Sequence, residues 1–320
     1  MLSTPFQLRL SGITYKAEGI LEFELRHPSG GELPPYTSGA HIDLHLDGMV
    51  RSYSLCNATM DTHRYIVAVG LDTNSRGGSR FLHEKARVGS LIAVTAPRNS
   101  FPLVEDAPHT LLIAGGIGVT PLWSMAQRLS ELGRDWEMFY AARSRRTAAY
   151  VDELEALALN SGGKVHFHFD EVEGRSADLS SVLVRVDPST HAYCCGPALM
   201  IEAFRAAAQD RLPDDHVHVE FFKAAEPIGR SGERFDIRLN RTGRVMSVEP
   251  DQSILDVLLD AGVDIPYSCM EGICGSCQLA VLRGIPDHRD SVLSNRQRTA
   301  NEVVIACCSR SKSDLLVLDV

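Results

Sequence analysis

Cys269, Cys274, Cys277 and Cys307 are the residues whose types and spacing most constrain the chemistry of this chain. Cys-x4-Cys-x2-Cys with a fourth cysteine well downstream is the plant-type ligand pattern of a [2Fe–2S] cluster, in which four thiolates hold two irons. A zinc site usually pairs Cys-x2-Cys with a second such pair or with two histidines. Cys274-Gly-Ser-Cys277 has no second pair, and no histidine follows His288. Disulfide frameworks belong to oxidising compartments and to far smaller domains. Gly272, Gly275 and Ser276 are small, so the backbone can wrap closely and aim amide N–H groups at sulfur. The cluster is the favoured reading, with zinc and disulfides as its alternatives. It would make the chain a carrier of single electrons.

Three other segments carry chemistry. Gly115-Gly-Ile-Gly-Val-Thr-Pro121 lies between a strand pattern and a helix pattern. Glycines there let the backbone approach a pyrophosphate, whose charge is favoured at a helix N-terminus. Pro121 suits a first helical turn. The alternative is a purely structural turn, since the dinucleotide fingerprint with its third glycine is not matched. Cys195-Gly-Pro197 opens the last long helix of the same segment, and a ligand across one sheet edge would meet both loops. In Arg51-Ser-Tyr-Ser-Leu55 the guanidinium can pair with phosphate, and tyrosine and serine can meet a planar ring and its polar edge. Arg76-Gly-Gly-Ser79 offers an anion nest. Each of these short patterns also reads as an ordinary turn or solvated surface.

The elements that must position these residues fall into three segments. Up to about residue 102, Ile20–Leu25, His41–Leu46, Tyr65–Val69 and Leu91–Thr95 read as short strands separated by turn residues, which suggests a small antiparallel β-barrel. From 103 to 225, apolar strand runs at Leu111–Ala114, Glu137–Ala142, Lys164–Phe169, Tyr193–Cys195 and His216–Phe222 alternate with helical runs, the last at Ala198–Arg211. That rhythm means a parallel sheet covered on both faces. Lys223–Gly232 reads as a linker. Residues 226–320 add a hairpin around Asn240–Gly243 and a helix at Ser253–Leu259 that Asp251 or Ser253 could cap.

Composition sets the frame. A chain of 320 residues with 44% hydrophobic residues reads as two or three ordinary globular domains. Its net charge of −9 argues against a nucleic-acid footprint. Nothing resembles an export signal or an apolar span of membrane length. Eight cysteines without such a signal point to a reducing cytoplasm, with Cys56, Cys194, Cys195 and Cys308 left as free thiols.

Taken together, Arg51–Asn57, Gly77–Ser79, Gly115–Pro121, Cys195–Pro197, the four cysteines and Asp287-His-Arg-Asp290 make the whole chain resemble the phthalate dioxygenase reductase family. Within it the likeness is greatest to the reductase components of vanillate O-demethylase and related Rieske oxygenases. The resemblance implies a multi-domain fold: an antiparallel β-barrel flavin domain, an α/β parallel-sheet nucleotide domain and an α+β plant-type ferredoxin (β-grasp) domain. It implies FMN held by Arg51, Ser52, Tyr53, Ser54, Ala68, Val69, Arg76, Gly77, Gly78 and Ser79, with Phe222 near the flavin. FMN rather than FAD is implied because no residues match those that hold an adenylate. Gly116, Gly118, Cys195, Gly196 and Pro197 match the NADH site. Thr120 matches a residue between flavin and nicotinamide, and Thr120 and Cys195 stand as the catalytic candidates. Cys269, Cys274, Cys277 and Cys307 match the cluster ligands, and the spacing to Ser309-Arg310 favours Cys307 over Cys308. Electrons would pass from NADH through FMN to the cluster, and onward to a separate Rieske-type oxygenase, with the reductase a cytoplasmic monomer. Plant-type clusters sit at about −400 mV and Rieske centres at roughly −150 to +300 mV, so that last transfer would be downhill. Arg143, Ser144, Arg145 and Arg146 could favour a 2′-phosphate and Asp170 could oppose it, so coenzyme preference stays open, although the family leans to NADH.

Overall fold

A computed structural model of the chain describes residues 4–72, 75, 77–184, 186–222, 232–267 and 269–320. Arg76 and all of the expected linker except Gly232 lie outside the described residues. The chain divides into two compact units, one ending at Phe222 and the other holding the cysteine segment.

The first unit opens with strands β1 (Phe6–Ala17), β2 (Ile20–Arg26), β3 (His41–Leu46), β4 (Met49–Ser54) and β5 (Tyr65–Gly70), then helix α1 (Gly78–Glu84) and strand β6 (Leu91–Val94). They form an antiparallel sheet in the order β4-β3-β6-β1-β2-β5. Its two edges meet, because Leu55 bridges Val67 and the Cys56 N–H donates to the Ile66 carbonyl at 2.8 Å. Closure removes the free strand edges that an open sheet would present. Alternation along β3 and β5 turns Ile42, Leu44, Val67 and Val69 into a dry interior with Leu8, Phe23 and Leu25. Helix α1 was not apparent from the Gly77–Ser79 pattern, which suggested only a nest; Gly77 starts it at φ 98°, a conformation that glycine adopts without strain.

The nucleotide segment follows as β7 (Thr110–Gly115), α2 (Val119–Glu131), β8 (Trp136–Ala142), α3 (Val151–Ser161), β9 (Lys164–Phe169), short α4 (Asp170–Glu173) and α5 (Leu179–Leu183), β10 (His191–Cys195), α6 (Ala198–Ala208) and β11 (Val217–Glu220). The five strands run parallel in the order β11-β10-β7-β8-β9. Every residue of β7 is buried, as expected for a central strand covered on both faces. Helix α6 stops at Ala208, three residues short of the expected end, in a turn where the Arg211 and Leu212 N–H groups both donate to the Ala208 carbonyl, at 2.9 and 3.0 Å.

The barrel and the parallel sheet share one core. Ile20, Cys56, Ile66 and Ala68 pack in the same cluster as Met125, Trp136, Tyr140 and Tyr150. Each large apolar side chain buried there contributes about 1.5–3 kcal/mol, so the two segments stand or fall together. Polar ties cross the seam as well: Gln127 Nε2 donates to the Cys56 carbonyl at 2.8 Å, and Tyr150 Oη donates to Glu22 Oε2 at 2.8 Å.

The second unit contains β12 (Phe235–Leu239), β13 (Val245–Val248), α7 (Ile254–Asp260), β14 (Gln278–Arg283), β15 (Pro286–Asp287), α8 (Asn295–Ala300), β16 (Val303–Ile305), β17 (Arg310–Ser311) and β18 (Leu315–Leu318). A mixed sheet in the order β13-β12-β18-β14-β16 carries α7 on its apolar face. Of the two capping candidates, Ser253 caps α7: its Oγ accepts from the Asp256 N–H at 3.1 Å and the Asp256 carboxylate accepts from the Ser253 N–H at 3.0 Å. Among the described residues no helix is long and apolar enough to cross a membrane.

Candidate functional site

The cysteine loop runs from α7 to β14 and is closed by the turn after β16. Cys274, Cys277 and Cys307 are buried and Cys269 is partly exposed. Main-chain donors point at the sulfurs: the Glu271 N–H at Cys269 Sγ and the Gly272 N–H at Cys307 Sγ, both at 3.3 Å, and the Cys307 N–H at Cys277 Sγ at 3.4 Å. Such donors favour the thiolate. Cys269 is held far below the ordinary thiol range, chiefly by hydrogen bonds from the Cys274 and Cys307 thiols, and Cys277 is lowered chiefly by Cys307. Cys274 and Cys307 are pushed up correspondingly, by Cys269 first in both cases. Among the described residues no three His, Cys, Asp or Glu side chains gather as they would around a single ion. The thiols instead form a linked run, in which Cys269 meets Cys274 and Cys307 and Cys307 in turn meets Cys277. The donor set and its amide donors fit a [2Fe–2S] cluster.

The flavin motif and the glycines of α1 come together. A Cβ on Gly78 would lie 2.6 Å from Arg51 Cγ and 3.2 Å from Tyr53 Oη, so this glycine lets α1 sit directly on that face of β4. Burial pushes the Tyr53 phenol up to about 12, and it stays a neutral donor at physiological pH. Ser52 lies on the other face of β4, where its Oγ donates to Asp43 Oδ1 at 2.7 Å beside the Asp43–Arg98 ion pair. Ser79 Oγ donates to Ser75 Oγ at 2.9 Å. Ala68 and Val69 are core residues of β5, and the Val69 carbonyl meets His83 Nε2 at 2.8 Å. The cradle over Arg51 and Tyr53 has the chemistry to hold a flavin phosphate and ring.

The two nucleotide loops touch through glycines. A Cβ on Gly118 would stand 2.1 Å from the Cys195 carbonyl oxygen, and one on Gly196 would stand 3.0 Å from Gly115 Cα. Gly116, at φ 52°, faces open space, as a backbone approached by a pyrophosphate should. Thr120 Oγ1 donates to the Ile117 carbonyl at 3.0 Å, which fixes the entry into α2. Cys195 is fully buried; desolvation first, then Glu220, pushes its thiol far up. Burial thus favours its neutral thiol form. Phe222 packs on the shared core.

One residue escaped the sequence. Glu220 ends β11 in register with Cys195. Its Oε2 is buried without a hydrogen-bond partner among the described residues, and the carboxyl pairs with Ser54 of the flavin motif. Burial pushes it up to about 8 against that hydrogen bond, so it is a neutral acid at pH 7. It joins the flavin strand to the carboxyl edge of the parallel sheet, where ligands of such folds bind. An acidic residue ending an apolar strand just before Phe221-Phe222 was the available signal.

Residues 237–312 match the 2Fe-2S iron-sulfur cluster binding domain and residues 112–206 the oxidoreductase NAD-binding domain. The chain is 47% identical to phenoxybenzoate dioxygenase subunit beta of Ectopseudomonas oleovorans, over 99% of this chain and 98% of that one. It is 46% identical to tetrachlorobenzoquinone reductase of Sphingobium chlorophenolicum, over 98% and 97%. The solved structure of phthalate dioxygenase reductase matches with TM-score 0.71 and 37% identity over 99% of this chain and 98% of that one. The chain belongs to the phthalate dioxygenase reductase family. A type IV self-sufficient cytochrome P450 monooxygenase contains a similar array, with TM-score 0.88 and 38% identity over 99% of this chain and 41% of that one. As a phthalate dioxygenase reductase-type protein, the chain is an oxidoreductase with nicotinamide-nucleotide, FMN and [2Fe–2S] sites, of the kind that serves oxygenase systems as their reductase component.

Proposed function

We propose that this chain takes electrons from NADH and delivers them one at a time to a separate Rieske-type oxygenase, working as a cytoplasmic monomer. The observation that carries the reading is the junction at the sheet's carboxyl edge, where Ser54 of the flavin motif, Glu220 and the Gly118–Cys195 loop contact meet within one core. The bound groups supply the redox chemistry: a two-electron donor, a flavin that accepts two electrons and releases single ones, and a one-electron cluster. The chain holds and orients them. Arg51, Tyr53, Gly77 and Gly78 would seat FMN, with Arg51 placed for its phosphate. Gly116 and Gly118 would meet the coenzyme pyrophosphate. Glu220 and Cys195 would line the junction as neutral groups, leaving no buried charge to oppose one developing on the flavin. Cys269, Cys274, Cys277 and Cys307 would hold the cluster.

Coenzyme preference has a structural argument. Arg145 of the Arg143–Arg146 run is committed to carboxylates, with Nη2 2.7 Å from Asp152 Oδ1 and Nη1 3.0 Å from Glu155 Oε1. A guanidinium so occupied is poorly placed for a 2′-phosphate, which supports NADH. Cys56, Cys194, Cys195 and Cys308, left over from the cluster ligands and in no disulfide, support a reducing compartment.

A second reading, direct reduction of a quinone-like substrate, is favoured by the likeness to the quinone reductase. Cys274→Ser separates the two. It should spare anaerobic reduction of FMN by NADH while abolishing reduction of an oxygenase or cytochrome c. Equal loss of both activities would overturn the electron-carrier reading, and an undiminished rate with quinone would favour the second.

A further inference from the structure

A fifth cysteine stands in the cluster loop. Cys308 is as buried as Cys307, each 3% exposed. Gly272 touches both sulfurs: its N–H donates to Cys307 Sγ at 3.3 Å, and a Cβ built on it would stand 2.6 Å from Cys308 Sγ. The two thiols therefore flank one glycine whose backbone, at φ 67°, cannot readily carry a side chain. Residues 306–308 form a turn rather than a strand, so neighbouring side chains are not forced to opposite faces as they would be in a pleat. Behind the turn the loop is braced. The Ser291 N–H donates to the Gly272 carbonyl at 2.9 Å, and Asp290 Oδ1 accepts the N–H groups of Val292 and Leu293 at 2.9 and 2.7 Å. Cys308 meets the Cys307 thiol directly, and its Sγ also lies 3.7 Å from the Ile305 carbonyl and 3.8 Å from Ser309 Oγ. A soft thiolate is the preferred ligand for iron in such clusters.

We propose that Cys308 is a second thiol at the fourth ligand position, able to hold iron when Cys307 cannot. The exchange balances simply: the iron–sulfur bond to residue 307 is absent, Cys308 loses its S–H proton to solvent, and its thiolate forms the new bond with no change of oxidation state. In the intact chain Cys307 holds the position because it already receives the Gly272 N–H and contacts Cys277. This inference rests on the four-cysteine ligand set proposed above.

The experiment uses the full-length protein, with iron, acid-labile sulfide and FMN measured per chain and the low-temperature electron paramagnetic resonance spectrum recorded after dithionite reduction. Cys307→Ala should keep most of its iron, with a shifted spectrum from the altered geometry, and Cys308→Ala should keep its iron with little spectral change. Cys307→Ala with Cys308→Ala should lose the cluster and keep FMN. Iron loss in Cys307→Ala alone, or iron retained in the double variant, would overturn the proposal. Cys274→Ala tests the ligand set itself, since iron retained there would refute that reading instead. If Cys307→Ala does not fold, Cys307→Ser is compared with and without Cys308→Ala: a thiolate-type spectrum that disappears with Cys308 supports the exchange, and identical spectra reject it.

Discussion

Replacing Gly118 by alanine should force the two nucleotide loops apart. The new Cβ would meet the Cys195 carbonyl oxygen at 2.1 Å, its carbon at 2.4 Å and the Gly196 nitrogen at 2.7 Å. All three are main-chain atoms with no rotamer to yield. Comfortable contact lies near 3.5 Å, so relieving the 2.1 Å approach means opening the loops by about 1.4 Å. The φ of Gly118 is −62°, open to any residue, so crowding alone is responsible. Overpacking of this kind costs about 1–3 kcal/mol, which lowers the melting temperature of a unit this size by about 2–4 °C per kcal/mol. A misplacement of 1 Å at a reacting site costs on the order of 100-fold in rate. Anaerobic stopped-flow reduction of FMN by NADH would read the rate, with iron content as the control because the cysteines lie in the other unit. Gly116→Ala is the companion variant. Its Cβ meets nothing within 4 Å, so it costs about 1–2 kcal/mol of left-handed strain without moving the Cys195 loop. Wild-type melting temperature, NADH KM and rate in Gly118→Ala would refute the reasoning.

Glu220→Gln should stabilise the protein and slow flavin reduction by NADH. Burial raises this carboxyl from its ordinary 4.5 to about 8, so its contribution to stability is full below pH 4.5 and is lost as pH rises through 8. Removing the charge should gain up to about 4 kcal/mol at pH 8 and almost nothing near pH 4.5; a variant melting below wild type at pH 8 would count against the buried acid. His218 acts in the opposite sense. Desolvation first, then His191 and His216, lower it to about 4, against the attraction of Asp215, and it lies among stacked rings of Tyr193 and His191. Its contribution is present above pH 6.5 and lost as pH falls through 4, about 2 kcal/mol at pH 5. Thermal melts of His218→Gln between pH 7.5 and 5 should show a flatter pH dependence than wild type, and parallel curves would exclude the histidine as the source.

Period and punctuation carried most of the fold. The strand expected at His41–Leu46 and the one at Lys164–Phe169 coincide with β3 and β9, because each element's own burial is written in its alternation or apolar run. The matching residues at Gly115–Pro121 and Cys195–Pro197 were legible because glycine and proline mark strand-to-helix turns. What was not legible depends on partners far along the chain. Ser52 and Ser54 look alike in sequence, yet one is spent on Asp43 and the other meets Glu220. Glu220 reads as an ordinary strand-end carboxylate until the barrel covers it. Tyr150 adopts φ 62° with its ring stacked on Trp123, a strained geometry that only the surrounding core can enforce.

The shared core of the barrel and the parallel sheet also limits where such proteins can be cut and rejoined. A chimera divided near residue 102 would strip Cys56, Ile66 and Ala68 from Met125, Trp136 and Tyr150 and expose apolar surface on both halves. A division between residues 222 and 232 leaves each core whole. Exchange of electron acceptors by recombination is therefore easiest as transplantation of the cysteine module alone, while the flavin and nucleotide segments travel as a single inheritance.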